Sequence, residues 1–150
     1  MHKTKICYLG RTDTFSHPAD RRRLVYWANE RNIEITNDLS SKYDILYLTE
    51  SSKIELKDLD RNKKPVVFEL IDGYLGEMNS TIDLARGTLK NYKNGKFRIG
   101  YYTNYLKHIA RKSQAVVCSN QEQLEYYEYF LRINGCTYEV DGKYGMTLKT

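Results

Sequence analysis

The sequence predicts an α/β domain of Rossmann-like type: three layers built around a mainly parallel sheet. Three observations carry this. Short apolar runs recur at KICYLG, YDILYLT, VVFELI and AVVCS, and strands with almost no polar face are strands covered on both sides. Segments with apolar residues at helical spacing lie between several of them. The length of 150 residues fits one ordinary domain, large enough to bury a core without a disulfide or metal staple.

The elements follow in order. Residues 5–10 are the first strand, and residues 10–17 a polar loop. Pro18 is a favoured first helical residue, with Ser16 or His17 as the cap and Asp20 in the first turn, where the helix dipole favours an acid. Leu24, Trp27, Ala28 and Arg31 recur at helical spacing, and Asn32 is a left-handed stop. Residues 33–36, 43–49 and 66–71 are strands, the last ending at Asp72-Gly73. A helix opens near Ser80, with Asp83 in the place of the capping-box acid, and runs to Asn94-Gly95. Ile99, Tyr102, Leu106, Ile109 and Ala110 mark the next helix. Residues 115–119 form a strand, and Ser119-x-x-Glu122 reads as a capping box for a helix through Leu124, Tyr127 and Leu131 that stops at Gly135. Residues 136–140 are the last strand. The domain therefore spans residues 1–142, and residues 143–150 read as a tail or the start of a linker to a second domain. Cys7, Ile45, Val67 and Val117 are expected to be buried in the centre of the sheet.

Composition narrows the function. Apolar residues at 41% and charged residues at 29% are a globular balance, not a disordered one. Twenty-four basic and 19 acidic residues give a net charge of +5. Scattered as it is, that charge permits an anionic ligand or peripheral contact with a membrane surface and does not call for nucleic acid. No run approaches the length of a membrane span, and the N-terminus runs directly into a strand with no signal peptide in view. Cys7, Cys118 and Cys136 lie far apart in apolar runs, read as buried reduced thiols of a cytoplasmic protein. Fourteen tyrosines against four phenylalanines suit half-buried edges or ring-stacking surfaces.

Several chemistries lack their motifs. After the first strand stands a single Gly10, not the three glycines of a dinucleotide fingerprint. There is no P-loop, no Gly-x-Ser-x-Gly elbow and no pair of acids at the end of the first strand. His2, His17 and His108 are isolated and no cluster has metal spacing, so neither a metal nor another cofactor is implied.

In open α/β sheets ligands bind beyond the carboxyl ends of the strands. Gly10 lets a ligand approach the backbone. Arg11, Thr12 and Thr14 can donate hydrogen bonds there, and a helix N-terminus follows; the plain alternative is a polar loop with a turn glycine. Asp72 stands at the mouth of the crevice, where a carboxylate can accept a proton from a sugar hydroxyl, or it closes an Asp-Gly turn. Tyr74 joins it as a substrate-binding candidate. Ser119 faces the crevice or serves only the cap. Glu69, inside a strand, reads as one half of an ion pair. Tyr101, Tyr102 and Tyr105 read as packing, or as the rim of an acceptor site.

The succession KICYLGRTDTFSHPADRRRLVYWANERNIEI, YDILYLTE, KPVVFELIDGYL and AVVCSNQEQLEYYEYF resembles the N-terminal, acceptor-side domain of GT-B glycosyltransferases, and is most similar to group 1 (GT4-like) members. The resemblance covers roughly residues 5–142. It implies transfer of a sugar from a nucleotide-sugar donor to a glycan or lipid-linked acceptor in bacterial polysaccharide synthesis, in the cytoplasm or at the inner membrane face. The donor would be held by a second domain that these residues do not contain. The residue 10–11 loop would then lie against the donor diphosphate, and Asp72 would act on the acceptor hydroxyl. The alternative is a non-catalytic Rossmann-like module that binds a small anion or a protein partner.

Overall fold

A computed structural model describes residues 3–70, 79–90, 99–133, 137–141 and 145–149. Its element order is β1 (Lys5–Leu9), α1 (Pro18–Asp20), a π-helical turn (Arg21–Val25), α2 (Tyr26–Glu30), β2 (Glu34–Thr36), β3 (Ile45–Thr49), α3 (Leu56–Arg61), β4 (Val66–Leu70), α4 (Thr81–Lys90), α5 (Tyr102–Lys112), β5 (Ala115–Cys118), α6 (Gln121–Ile133), β6 (Thr137–Asp141) and β7 (Gly145–Lys149). The sheet order is β2-β1-β3-β4-β5-β7-β6. The first five strands are all parallel, and β7 is antiparallel to both β5 and β6. This is the α/β Rossmann-like architecture, with the 2-1-3-4-5 order of the flavodoxin-like variant.

Register divides each strand between two faces. Cys7 lies opposite Leu46, Leu46 opposite Val66, Leu48 opposite Phe68, and Phe68 opposite Val116. All of these belong to one core, closed by Leu59, Leu106, Ile109 and Tyr127 from α3, α5 and α6. Full burial of each such side chain stabilises the fold by about 1.5–3 kcal/mol relative to exposure. The opposite face carries Ile6, Tyr8, Ile45 and Tyr47. Its cover among the described residues comes from the segment between β1 and β2, through Phe15, Leu24, Val25 and Ile33.

Cys7 is fully buried, but Ile45, Val67 and Val117 are only half-buried, which corrects the expectation for those three. They point to the second face, where the first helical segment reaches no farther than β3. An apolar hollow of about 390 Å³ between Leu24, Trp27, Ile45, Tyr47, Val67 and Glu69 marks the gap.

The helix expected after Pro18 is interrupted by the π-turn. Asp20, Leu24 and Ala28 are buried in it, spaced four apart. An α-helix would rotate them by about 40° at each step, and the wider π-turn keeps them in line with the sheet. His17 is the N-cap, its Nδ1 accepting from Ala19 N at 3.2 Å, and Asn32 is left-handed at φ 55°.

Two elements were absent from the sequence reading. α3 is a turn and a half anchored by buried Leu59, too short to show a period. Residues 145–149, expected as tail or linker, are strand β7, so the domain continues past residue 142. The open edge of β5 needs a partner, and Met146 pairs opposite Val116 to supply one.

Candidate functional site at the carboxyl ends of the strands

Strand β1 has β2 on one side and β3 on the other, so the connections leaving β1 and β3 part company at this point. The rule for doubly wound sheets places a ligand crevice there, between the loop after β1 and the loop after β3.

The loop after β1 is built on Asp20. This carboxylate is buried. Its Oδ1 accepts from the Tyr8 hydroxyl at 2.9 Å and Arg11 N at 2.9 Å, and its Oδ2 from Thr12 N at 3.2 Å and Thr12 Oγ1 at 3.3 Å. Gly10 is required by this arrangement, because a Cβ would stand 2.9 Å from Cε1 of Tyr8 and closer still to Asp20. The amides of Arg11 and Thr12, two of the residues expected as donors to a ligand, are thus engaged by an internal carboxylate. Thr14 is exposed and hydrogen-bonded to Ser16 at 2.8 Å. The exposed Arg11 side chain is what the loop offers outward.

The loop after β3 is more unusual. Ser52 is fully buried. Its hydroxyl donates to the Leu9 carbonyl, tying this loop to β1, and accepts from Thr49 N at 2.8 Å. The Tyr102 hydroxyl donates to the Glu50 carbonyl, and the Tyr105 hydroxyl donates to the carbonyls of Ser52 (3.0 Å) and Ile54 (3.2 Å). Onto this loop comes Lys90, the last residue of α4. Its Nζ donates to the Ser52 carbonyl at 2.6 Å and lies 5.1 Å from the centre of the Tyr105 ring. Burial, then the nearby charge of Lys53, lowers its pKa to about 8, while buried Glu50 pulls the other way. A desolvated amine at the carboxyl edge of a parallel sheet is the kind of group that functional sites collect.

The α4–α5 pair fixes that lysine. Asp83 of α4 accepts from Ser80's neighbour Asn79 (N, 3.0 Å) and from both Thr103 N (2.8 Å) and Thr103 Oγ1 (2.6 Å) at the start of α5. One buried carboxylate therefore caps two helix N-termini. At Gly87 the helices touch: a Cβ there would lie 2.5 Å from the carbonyl carbon of Tyr101.

Ser119 follows β5 at the same edge of the sheet, with β4 between it and β3. It is exposed, and its hydroxyl and N–H both bond to Gln123 Oε1 (2.7 and 3.1 Å). Asn120 Oδ1 accepts from Gln123 N at 2.8 Å, and its carbonyl accepts from Leu124 N. The N-cap is therefore Asn120, one residue later than the expected Ser119, and it is Gln123, not Glu122, that reaches back, to the N–H and hydroxyl of Ser119. Asp72 and Tyr74 lie outside the described residues. Tyr102 and Tyr105 are buried, in keeping with the packing reading.

Sequence reasoning assigned Asp20 and Asp83 to helix starts and missed Glu50, Ser52 and Lys90. No motif marks these three, since a lysine ten residues into a helix looks like any solvated one. Among the described residues no group of three or more His, Cys, Asp or Glu could hold a metal ion, and no helix is long and apolar enough to cross a membrane. No protein-family model, curated protein or solved structure matches this chain.

Proposed function

We propose that this chain is the acceptor-side domain of a nucleotide-sugar-dependent glycosyltransferase of bacterial polysaccharide or lipid-linked glycan synthesis. In this reading the β1–β3 crevice receives the diphosphate and the reacting sugar of a donor held mainly by a second domain. The observation that carries the reading is the place of Lys90: a half-buried amine at the carboxyl edge of a parallel sheet, beside the point where the connections diverge. An anion at Lys90 would restore the charge that burial disfavours, and stabilising negative charge on a leaving nucleoside diphosphate is the main electrostatic task of such a transfer. Exposed Arg11 would serve the same charge from the β1 side. Asp72 would hold or deprotonate the acceptor hydroxyl, with Gly10, Thr12, Thr14, Tyr74 and Ser119 as further binding candidates. The sequence resemblance over residues 5–142 supplies the reaction class.

The test is sugar transfer by the full-length gene product with a panel of nucleotide-sugars and acceptor-bearing membranes. Asp72→Asn should lower turnover by about 10²–10⁴ with folding intact. Lys90→Gln should lower it as well and weaken nucleoside diphosphate binding. Equal turnover of Asp72→Asn and the parent would remove Asp72 from the mechanism, and transfer with no donor in the panel would overturn the reading.

A second reading, a binding module without catalysis, draws support from Asp20. Because that carboxylate occupies the amides of Arg11 and Thr12, the loop after β1 offers an incoming phosphate fewer backbone donors than a dedicated phosphate loop would. Saturable nucleoside diphosphate binding without transfer by the full-length product would favour this reading.

A further inference from the structure

A second concavity lies at the opposite, amino edge of the sheet, below β4 and β5. It measures about 360 Å³ and is lined by residues 59, 60 and 62–66 together with Lys112 and Gln114. The turn at its lip is braced. Asn62 Oδ1 accepts from Lys64 N and the Tyr43 hydroxyl, both at 3.2 Å, and its Nδ2 donates to the Lys64 carbonyl at 2.7 Å. Gln114 Oε1 accepts from Val66 N at 2.6 Å, and Pro65 has no N–H to satisfy. The backbone of the wall is therefore fixed, and Leu59 and Val66 supply a buried apolar floor.

The charges on this frame do not balance. Three lysines line the hollow, exposed Lys63 and Lys64 and, at its far side, Lys112. The one carboxylate is Asp60, whose Oδ1 is already engaged by Lys112 Nζ at 3.0 Å and His108 Nε2 at 2.9 Å. The Lys112 and His108 bonds hold its pKa below the usual carboxylate range, so it stays an anion committed to them. Lys63 and Lys64 have no partner among the described residues. Gathering like charges around a hollow disfavours the compact state unless an anion is shared between them. A phosphate, with several acceptor oxygens, suits lysines acting as point charges.

We propose that this pocket binds a phosphate group, held by Lys63 and Lys64 and completed by Lys112, at a site separate from the crevice at the carboxyl edge. The group could belong to a soluble phosphate ester or to a phospholipid headgroup, and the experiment separates the two.

The full chain, labelled with nitrogen-15, is titrated with inorganic phosphate at constant ionic strength, with chloride as the control anion. In parallel, it is co-sedimented with vesicles of phosphatidylcholine alone and of equimolar phosphatidylcholine and phosphatidylglycerol. Saturable amide shifts confined to residues 62–64, 66 and 112–114 are expected with phosphate. The double variant Lys63→Ala/Lys64→Ala should weaken binding by roughly tenfold or more, and Asp60→Asn should strengthen it by releasing Lys112. Lys57→Ala, which removes an exposed lysine paired with Glu55, should change nothing. Phosphate shifts without sedimentation assign a soluble ester, whereas sedimentation on the anionic vesicles that the double variant abolishes assigns a headgroup. Shifts that do not saturate, or an undiminished response in the double variant, would overturn the proposal.

Discussion

A Cβ placed on Gly10 would stand 2.7 Å from Oδ1 of Asp20, the oxygen that holds the Tyr8 hydroxyl and the Arg11 amide. The loop after β1 thus closes around a buried carboxylate, and both of its oxygens are in use. Asp20→Asn would turn one of them into a donor facing donors, and Asp20→Ala would leave the Tyr8 hydroxyl and two amides without their acceptor. Losses of about 1–2 kcal/mol for Asn and about 2–4 kcal/mol for Ala are expected, measured by urea unfolding. An Asn variant as stable as the parent would show that the carboxylate does not organise the loop.

Gly87 sets two effects against each other. In an exposed helix Gly→Ala stabilises by about 1 kcal/mol. Here the new methyl would meet the backbone of residues 100–102, which cannot swing aside as a flexible side chain can, and overpacking of this kind costs about 1–3 kcal/mol. Sterics should win, so Gly87→Ala should be less stable than the parent and should shift the Lys90 environment. A rise in the melting temperature of Gly87→Ala would contradict the α4–α5 contact.

The register of the α6 cap is separable by two substitutions. Asn120→Ala should cost about 1 kcal/mol. Glu122→Gln removes only a first-turn charge and should cost about 0.5 kcal/mol or less. The reverse ranking in urea unfolding would restore the sequence-based box.

Lys90 should leave a signature in pH. Its folded pKa of about 8 lies below the usual lysine value of 10.5, so between these values the unfolded chain binds more protons and stability rises with pH. The burial cost is fully present below about pH 8 and is relieved toward pH 10.5. Other groups titrate in the same range, so the readout is the stability difference between the parent and Lys90→Met. That difference should move in favour of the parent as pH rises through the window, and a flat difference would mean that Lys90 is solvated.

Cys7 and Cys118 have the opposite sign. Burial pushes both thiols to about 11 from the usual 9. Both stay protonated in the folded state after the unfolded chain has ionised, so their contribution is present below pH 9 and lost as pH rises through 11. At pH 8 a thiol reagent should label the peptides containing Cys7 and Cys118 no faster than the protein unfolds, as read by mass spectrometry. Rapid labelling of either would place it outside the core.

The sequence by itself determined the architecture. Apolar runs such as YDILYLT favour strands inside a helix-covered parallel sheet, and local chemistry at His17, Asn32 and Ser80 sets helix ends within a few residues. These signals are short-range, and a linear reading captures them. Tertiary structure decided the rest. The half-burial of Ile45, Val67 and Val117 depends on how far one helical segment reaches across the sheet. The strand at 145–149 exists because the edge of β5 is open beside it. The polar groups of the crevice come from positions as distant as Ser52, Lys90 and Tyr105. Their chemistry arises from desolvation and contact, both properties of the packed chain, so no residue spacing in the sequence could announce that an ordinary-looking Lys90 would be held over the carbonyl of Ser52.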